Sequence, residues 1–263
     1  MQISQGQLNT LAYCPRRFQH TYLEQLSAPP SPTQQAALTL GDRFHLLMQQ
    51  RELGLAIAPT QGSSEEDSQI YEAVERFLAS APEILQRDRV QFRQSEHRRS
   101  LPLQGFLLTA VYDLLILKSD QAEILDWKTY ATIPASDILK DNWQHKLYPF
   151  VLAETSRYIP EQITMSYWFV RPQTIQTEDS PAHITFSYDQ ETHEKTKQEL
   201  QQILATLTTY LQTFETGYSL PQVSETSDRC SPCPFAIRCQ RVRSNTYTQA
   251  TIITLDEIDE IAI

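Results

Sequence analysis

Two apolar runs separated by a short polar segment form the clearest hydrophobic pattern in the chain. Both lie within residues 106–130, are rich in aliphatic and β-branched side chains, and flank the polar residues 118–121. Strand-length apolar runs joined by so short a polar segment are typical of a β-hairpin with a tight turn. The sequence therefore predicts an antiparallel pair of strands near the middle of the chain.

This hairpin places charged side chains close together. If the turn is centred within residues 118–121, Asp113 on the first strand lies opposite Asp126 on the second, with Cβ atoms about 4.5–5.5 Å apart. Side chains alternate along a strand, so Lys128 projects on the same side as Asp126, and Trp127 projects on the other. The pattern predicts two carboxylates and one ammonium group on one side of the hairpin.

Two carboxylates this close on an apolar sheet repel each other unless a cation or a proton joins them. Mg²⁺ and Mn²⁺ prefer oxygen ligands, and a water bound to such an ion is acidified. Lys128 would then orient that water or offset developing charge. The alternative is a solvated surface that carries an exposed aspartate and an ordinary Asp–Lys ion pair.

The remaining apolar residues predict a helical first third followed by a mixed region. Three helices are expected before any strand: residues 4–26 with a break near Cys14, a helix from about Thr33, and a helix that begins after residues 62–67. The later elements are expected to be strands at 90–97, 163–170 and 183–189, and helices from Ser136 or Asp137 to about Glu154 and at 190–215. A helix between the hairpin and the next strand allows a mixed sheet with a right-handed crossover.

Composition and charge narrow the class of protein. The chain has 263 residues, 40% of them hydrophobic, which is enough for one large domain or two small ones. No apolar run approaches the ~20 residues of a membrane-spanning helix, and the first residues lack a signal-peptide pattern, so we expect a cytoplasmic protein without membrane contact. The net charge of −10 argues against indiscriminate nucleic-acid binding, so any such binding requires a local basic cluster.

The four cysteines have the spacing of a metal site. Three of them form the pattern C-x2-C-x5-C at Cys230, Cys233 and Cys239, and the fourth, Cys14, is far away in sequence. A cytosolic chain gains little from disulfides, so thiols at this spacing indicate a metal. Four thiolates suit either a zinc ion or an iron–sulfur cluster, and spacing alone leaves both open. Free thiols in a loop are the alternative.

These residues together resemble a known family. The chain, from Leu8 to about Arg243, is similar to RecB-like nucleases of the PD-(D/E)xK superfamily. The resemblance is to the branch with an iron–sulfur cluster, which includes CRISPR-associated adaptation exonucleases and the AddB nuclease domain. The matching motifs are G-x-x-x-H at Gly41–His45, the first acidic strand residue at Asp113, D-x-K at Asp126–Lys128, Q-x-x-x-Y at Gln144–Tyr148, and one cysteine before the core with three after it. Five motifs in this order are specific, although each alone is weak.

The chain departs from the family pattern at two positions. Ala110 stands where a glycine is common, and Tyr112 replaces the proline in the superfamily's name; both positions vary within it. Glu96 matches an acidic residue that often lies on the preceding strand. We assign Glu96 a supporting role.

The resemblance implies an α/β fold with a restriction-endonuclease-like mixed β-sheet flanked by helices. It also implies a helical N-terminal insertion and a C-terminal segment stapled by a 4Fe–4S cluster on Cys14, Cys230, Cys233 and Cys239, with zinc as the alternative. We expect a single nuclease domain over residues 1–244, with a helical part at 33–88 and the catalytic sheet at 89–190. Residues 245–263 are expected to form a C-terminal tail.

The family also implies roles for individual residues. His45, Asp113, Asp126 and the backbone carbonyl of Trp127 would hold one or two Mg²⁺ or Mn²⁺ ions, and Lys128 would position a water against the scissile phosphate. Gln144 and Tyr148 would contact the DNA backbone or the lysine. Basic residues beside the cysteines are expected to bind DNA: Arg16, Arg17, Arg229, Arg238, Arg241 and Arg243.

The expected function is a metal-dependent DNase. We expect an exonuclease on single-stranded ends in DNA repair, recombination or CRISPR adaptation, working with a helicase or another subunit. Two alternatives remain at this point. One is a non-catalytic nuclease-like subunit that binds DNA or protein, and the other is a redox or zinc protein in which the cysteine site is the function.

Overall fold

The protein is described by a computed structural model. It covers residues 1–55, 57, 65–129, 133–170 and 183–241, with residues 65–67 and 69 described by their backbone alone. The expected tail, Arg243 and Tyr130 lie outside these ranges. None of the helices within them is long and apolar enough to cross a membrane.

The described ranges contain strands and helices in mixed order. The strands are β1 (Gln2–Ile3), β2 (Phe92–Leu103), β3 (Phe106–Leu117), β4 (Ala122–Lys128), β5 (Ile163–Phe169) and β6 (His183–Ser187). The α-helices are α1 (Gln5–Tyr13), α2 (Pro15–Phe18), α3 (Pro32–Glu52), α4 (Glu65–Ser80), α5 (Ser136–Asp141), α6 (Trp143–Thr155) and α7 (Gln190–Glu215). A π-helical turn, Gln19–Leu23, continues α2, and short 3₁₀ turns lie at Pro82–Leu85, Pro160–Gln162 and Asp228–Cys230.

The strands form one mixed sheet in the order β1-β3-β4-β5-β6. Strand β2 pairs with β3 along its whole length, so β1 and β4 share the opposite edge of β3, β1 near its start and β4 near its end. β4 and β5 are parallel, and α5 and α6 provide the crossover between them. The predicted mixed sheet flanked by helices is therefore confirmed.

The predicted hairpin is confirmed together with its register. Leu114 pairs with Leu125 and Leu117 with Ala122, and the Lys118 N–H donates to the Gln121 carbonyl to close the turn. The paired register ends at Leu114 and Leu125, the residues next to Asp113 and Asp126. The tight turn leaves no freedom for a one-residue slip, which would reverse the face of every side chain.

Two elements differ from the prediction. The expectation that three helices precede any strand is wrong, because β1 pairs in parallel with β3 before the first helix. A strand of two residues shows no periodicity, so the sequence pattern could not reveal it. The single helix expected from Ser136 to Glu154 is two helices, since the backbone of Asn142 is extended (φ −69°, ψ 137°).

Hydrophobic cores cover both faces of the sheet. One contains residues of α1, α6 and α7, and the other contains Phe44 and Leu47 of α3 with residues of α4. Tyr112 and Leu115 of β3 both belong to the first core, although strand alternation would place residues three apart on opposite faces. The alternation of β3 is therefore interrupted at Asp113.

Candidate metal and active site

Asp113 lies where β3 and β4 separate. Its Oδ2 accepts a hydrogen bond from the Trp127 N–H at 2.7 Å. The carboxylate therefore replaces the backbone acceptor that the next β3–β4 hydrogen bond would use. Its other oxygen, Oδ1, lies 3.3 Å from Nδ1 of His45. One carboxylate thus fixes the end of β4 and presents its second oxygen to a helical imidazole.

His45 comes from α3, which packs across the end of β4. A Cβ on Gly41, one turn earlier, would lie 3.3 Å from Oγ1 of Thr129, so the glycine permits the close approach of helix and strand. Burial opposes a charge on His45, but the carboxylates of Asp113 and Asp126 outweigh it and raise the pKa of His45 to about 9. The imidazole is consequently a cation at neutral pH when no metal is bound.

Glu96 completes a compact group with these two residues. One ligand atom each from His45, Glu96 and Asp113 lies within 4.8 Å of the others. Glu96 has a positive φ of 50°, and its neighbours Ser95 and His97 pair with Leu114 and Tyr112 of β3. Glu96 therefore stands directly across from Asp113, in a backbone conformation that non-glycine residues seldom adopt.

Asp126 and Lys128 form a buried ion pair beside this group. Lys128 Nζ lies 2.8 Å from Asp126 Oδ2, and the two side chains are 6% and 1% exposed. Gln144 Nε2 donates to Asp126 Oδ1 at 2.8 Å. An ion pair on one oxygen and a hydrogen bond on the other therefore hold the Asp126 carboxylate, which lies outside the compact group but close enough to His45 to raise its pKa.

Helix α6, which carries Gln144, is anchored to α1. The Asn142 side chain caps α6 by accepting from the Gln144 N–H, and it also accepts from the Asn9 side chain of α1 at 3.0 Å. The Asn9 side chain in turn accepts from the Trp143 N–H at 2.9 Å. The start of α6 is therefore fixed by the helix that ends next to Cys14.

Tyr148 lies one turn beyond Gln144 and is buried. Its ring packs edge-on against Tyr112 with centroids 5.3 Å apart, and its carbonyl accepts a hydrogen bond from the Tyr112 hydroxyl. The role of Tyr148 in DNA contact and that of the Trp127 carbonyl in metal binding remain predictions. Tyr112, at the position of the family's proline, braces β3 against α6.

The four cysteines line one pocket of about 340 Å³, part of it open to solvent. Cys14 follows α1, and the other three lie in the segment after α7. Burial, followed by neighbouring thiols, raises the pKa values of Cys230 and Cys239, and burial also raises that of Cys233. A bound cation would offset this effect and favour the thiolate form of these three cysteines.

Direct hydrogen bonds join the two segments that carry the cysteines. Arg229 donates to the carbonyls of Ala12 and Tyr13, and the Tyr13 hydroxyl donates to the Arg229 carbonyl. The Arg16 guanidinium donates to the Leu220 carbonyl at 2.7 Å. The pocket is therefore built from both ends of the described chain, which these hydrogen bonds hold together.

The arginines predicted to bind DNA differ in their surroundings. Arg16 is bonded to Leu220, and Arg241 is bonded to Gln222 and Val223 and paired with Glu225. Arg17 stacks over Tyr13 beside the cysteine pocket, and Arg238 is 59% exposed in a loose pair with Glu24. Their contact with DNA stays a prediction.

Comparison with known proteins identifies the family. The chain belongs to the PD-(D/E)XK nuclease superfamily, which it matches over residues 2–240. No curated protein matches it. Members of this superfamily use divalent metals, and the group of His45, Glu96 and Asp113 has the geometry to hold one.

Solved structures support the same fold. A candidate exonuclease from Eubacterium rectale has a TM-score of 0.55 at 13% identity, over 94% of this chain and 91% of that one. The protein SSO0001 has a TM-score of 0.40 at 11% identity, over 90% of this chain and 85% of that one, a score too low to establish a common fold. At such identities the likeness concerns the fold alone.

Sequence reasoning underestimated one residue and did not single out another. Glu96, which was given only a supporting role, has a ligand atom within 4.8 Å of those of His45 and Asp113. The sequence of its strand alternates only weakly. An acidic residue within an otherwise basic strand was the available signal. Asn9 was not singled out, because its partner Asn142 is remote in sequence.

Proposed function

We propose that this protein is a metal-dependent deoxyribonuclease that digests DNA from its ends, with a 4Fe–4S cluster on its four cysteines. The observation that carries the nuclease proposal is the compact group of His45, Glu96 and Asp113 beside the buried Asp126–Lys128 pair. The family membership makes phosphodiester hydrolysis the reaction for which such a site is suited.

The residues of the site fit a hard divalent cation. Two carboxylates and one imidazole match the ligands of Mg²⁺ and Mn²⁺, with the nitrogen making Mn²⁺ at least as suitable. Without metal, the His45 imidazolium and the Lys128 ammonium supply the positive charge that the carboxylates require. A metal ion would displace the proton from His45, so binding should release a proton.

A divalent ion held there would supply Lewis acidity and an acidified water. Asp113 keeps Oδ1 directed at His45 because its Oδ2 is fixed by the Trp127 N–H. Lys128 lies against Asp126, where its ammonium can orient a nucleophilic water and offset charge on a phosphate. Gln144 holds Asp126 from the opposite oxygen, so it fixes the carboxylate on which Lys128 depends.

The spacing of the cysteines favours a cluster over a single zinc ion. A tetrahedral zinc with Zn–S bonds of about 2.3 Å requires sulfurs about 3.8 Å apart. Among the described residues, which include all four cysteines, no three sulfurs lie within 4.8 Å of one another. A polynuclear centre with more widely separated ligands is therefore the form that we propose.

The proposal of an end-dependent DNase rests on the resemblance to the RecB-like nucleases, and groups exposed after α7 suit a single-stranded substrate. The Arg238 side chain is 59% exposed, and Tyr218 and Ile237 are 71% and 81% exposed. A cation with exposed aromatic and apolar side chains suits single-stranded DNA, whose bases stack on such groups while phosphates bind the cation. A helicase or another repair or CRISPR subunit would supply such ends.

The test is digestion of end-labelled linear single strands, linear duplexes, circular single strands and RNA in Mg²⁺ or Mn²⁺. We expect linear single-stranded DNA to be degraded and circles to survive. Asp113→Asn and Asp126→Asn should each reduce the rate at least about 100-fold. Asp120→Asn in the exposed hairpin turn is the matched control and should keep full activity.

Calorimetry with Mn²⁺ separates catalysis from mere binding. If the wild type binds no Mn²⁺ and cuts no nucleic acid while still binding DNA, the protein is a non-catalytic nuclease-like subunit. Cutting of circles would instead refute the requirement for ends.

A further inference from the structure

A buried histidine connects the cysteine pocket to a carboxylate on the N-terminal segment. His20 lies in the π-helical turn, and its Nε2 is 3.6 Å from Sγ of Cys239. Its Nδ1 is 2.7 Å from Glu24 Oε2. The ring therefore bridges an acid on one side and a cysteine sulfur on the other.

The bridge is held from several directions. His20 is 3% exposed, and its ring packs against Phe235 with centroids 5.1 Å apart. Glu24 is itself fixed by the Gln19 amide and, more loosely, by Arg238. A histidine this enclosed, with both nitrogens directed at polar atoms, has a fixed orientation before any metal binds.

The chemistry of the two neighbours assigns the ring a donor role. When Cys239 is bound to metal its sulfur is a thiolate and carries no proton, so it can only accept a hydrogen bond. The Glu24 carboxylate is likewise an acceptor. Donating to both acceptors at once requires an N–H on each ring nitrogen, which is the imidazolium form.

We propose that His20 is a positioning residue for the cysteine centre, donating Nε2–H to the Cys239 sulfur while Glu24 fixes the ring. This inference rests on the proposed metal centre. A hydrogen bond to the sulfur lowers the charge density on the ligand, and the buried ring fixes the sulfur's direction. Outer hydrogen-bond partners of this kind typically contribute about 10–100-fold to metal affinity.

Cys239 has a particular need for such support. It is the last of the three clustered cysteines, six residues beyond Cys233, and the Arg238 beside it is largely exposed. Its backbone N–H donates to Phe235, which is also the residue that packs on His20. His20 thus contacts both the ligand sulfur and the turn that carries it.

The test compares two replacements of His20, each of which keeps a different one of its two contacts. The amide of His20→Gln can reach the position of Nε2, whereas the amide of His20→Asn corresponds to Nδ1 and keeps only the contact with Glu24. Iron and zinc per chain are measured by elemental analysis, and the rate of metal release is measured in excess chelator. Both variants are also prepared with Cys230→Ala, and their melting temperatures without metal are compared.

We expect His20→Asn to release metal about 10–100-fold faster than the wild type and His20→Gln to stay close to it. In the Cys230→Ala background, the two variants should melt at the same temperature. Equal release rates in the wild type and His20→Asn would overturn the role of His20 while leaving the metal centre intact. A lower melting temperature for His20→Asn than for His20→Gln in the Cys230→Ala background would also overturn it, since the effect would then be packing alone. A wild type that holds neither iron nor zinc would overturn both the centre and the inference.

Discussion

Replacing Lys128 by methionine should destabilise the protein as well as inactivate it. The ammonium lies 2.8 Å from Asp126 Oδ2 as its ion-pair partner, and both side chains are almost completely buried. Removing one partner of a buried pair typically costs about 3–5 kcal/mol. The Gln144 amide still donates to Asp126, so we expect the lower figure of about 3 kcal/mol. For a chain of this size that corresponds to a fall in melting temperature of about 6–12 °C.

Mn²⁺ should partly reverse this loss. A divalent cation near Asp126 replaces the missing ammonium, so Mn²⁺ should raise the melting temperature of Lys128→Met more than that of the wild type. Thermal unfolding in EDTA and in Mn²⁺ measures the effect. Nuclease activity should remain at least about 100-fold reduced, because the charge that orients the nucleophile is absent.

Two further variants make the reasoning refutable. Lys118→Met removes the partly exposed ion pair with Glu123 in the hairpin turn and should cost no more than about 1 kcal/mol. The double variant Lys128→Met/Asp126→Asn removes both buried charges and should recover most of the lost stability. If Lys128→Met in EDTA is as stable as the wild type, the buried pair does not stabilise the fold as argued.

Three other changes test separate parts of the structure. Glu96→Gln should weaken Mn²⁺ binding about 10-fold or more in calorimetry without changing the melting temperature in EDTA, and unchanged affinity would remove Glu96 from the site. Cys230→Ala should lose the visible absorption of the cluster and unfold at lower temperature, whereas a colourless wild type containing one zinc per chain would contradict the iron–sulfur proposal. Burial, assisted by Lys140 and Lys146, lowers the pKa of His145 to about 4, so the folded state resists its protonation and stability declines as pH falls below about 6.5. Urea unfolding at pH 7.5 and 5 should therefore show an extra loss of about 2 kcal/mol in the wild type that His145→Gln lacks.

The hairpin was predictable in detail because two local rules agree. A four-residue turn determines which residues of the two strands pair. The alternation of side chains along each strand then determines the face of the sheet on which each one lies. That is why the hairpin register and the common side of Asp126 and Lys128 follow from the sequence alone.

Residues that other elements bring to the site were harder to predict from the sequence. His45 has no local signal beyond a glycine four residues earlier, so only the resemblance to a family indicated it. Glu96 reaches the site through a positive φ and an interruption of alternation in the facing strand, and no residue pattern encodes such a distortion. The short β1 and the break at Asn142 depend on tertiary pairing with β3 and α1, which hydrophobic periodicity does not report.

Helix α1 has an experimental consequence for anyone who purifies this protein. It spans about two and a half turns, touches the thiol pocket through Cys14 at one end, and secures the start of α6 through Asn9. Oxidation of the thiols during aerobic handling would therefore weaken the hold of α1 on the start of α6, and with it the Gln144–Asp126 contact. Hydrolysis should therefore be measured on material handled under anaerobic conditions.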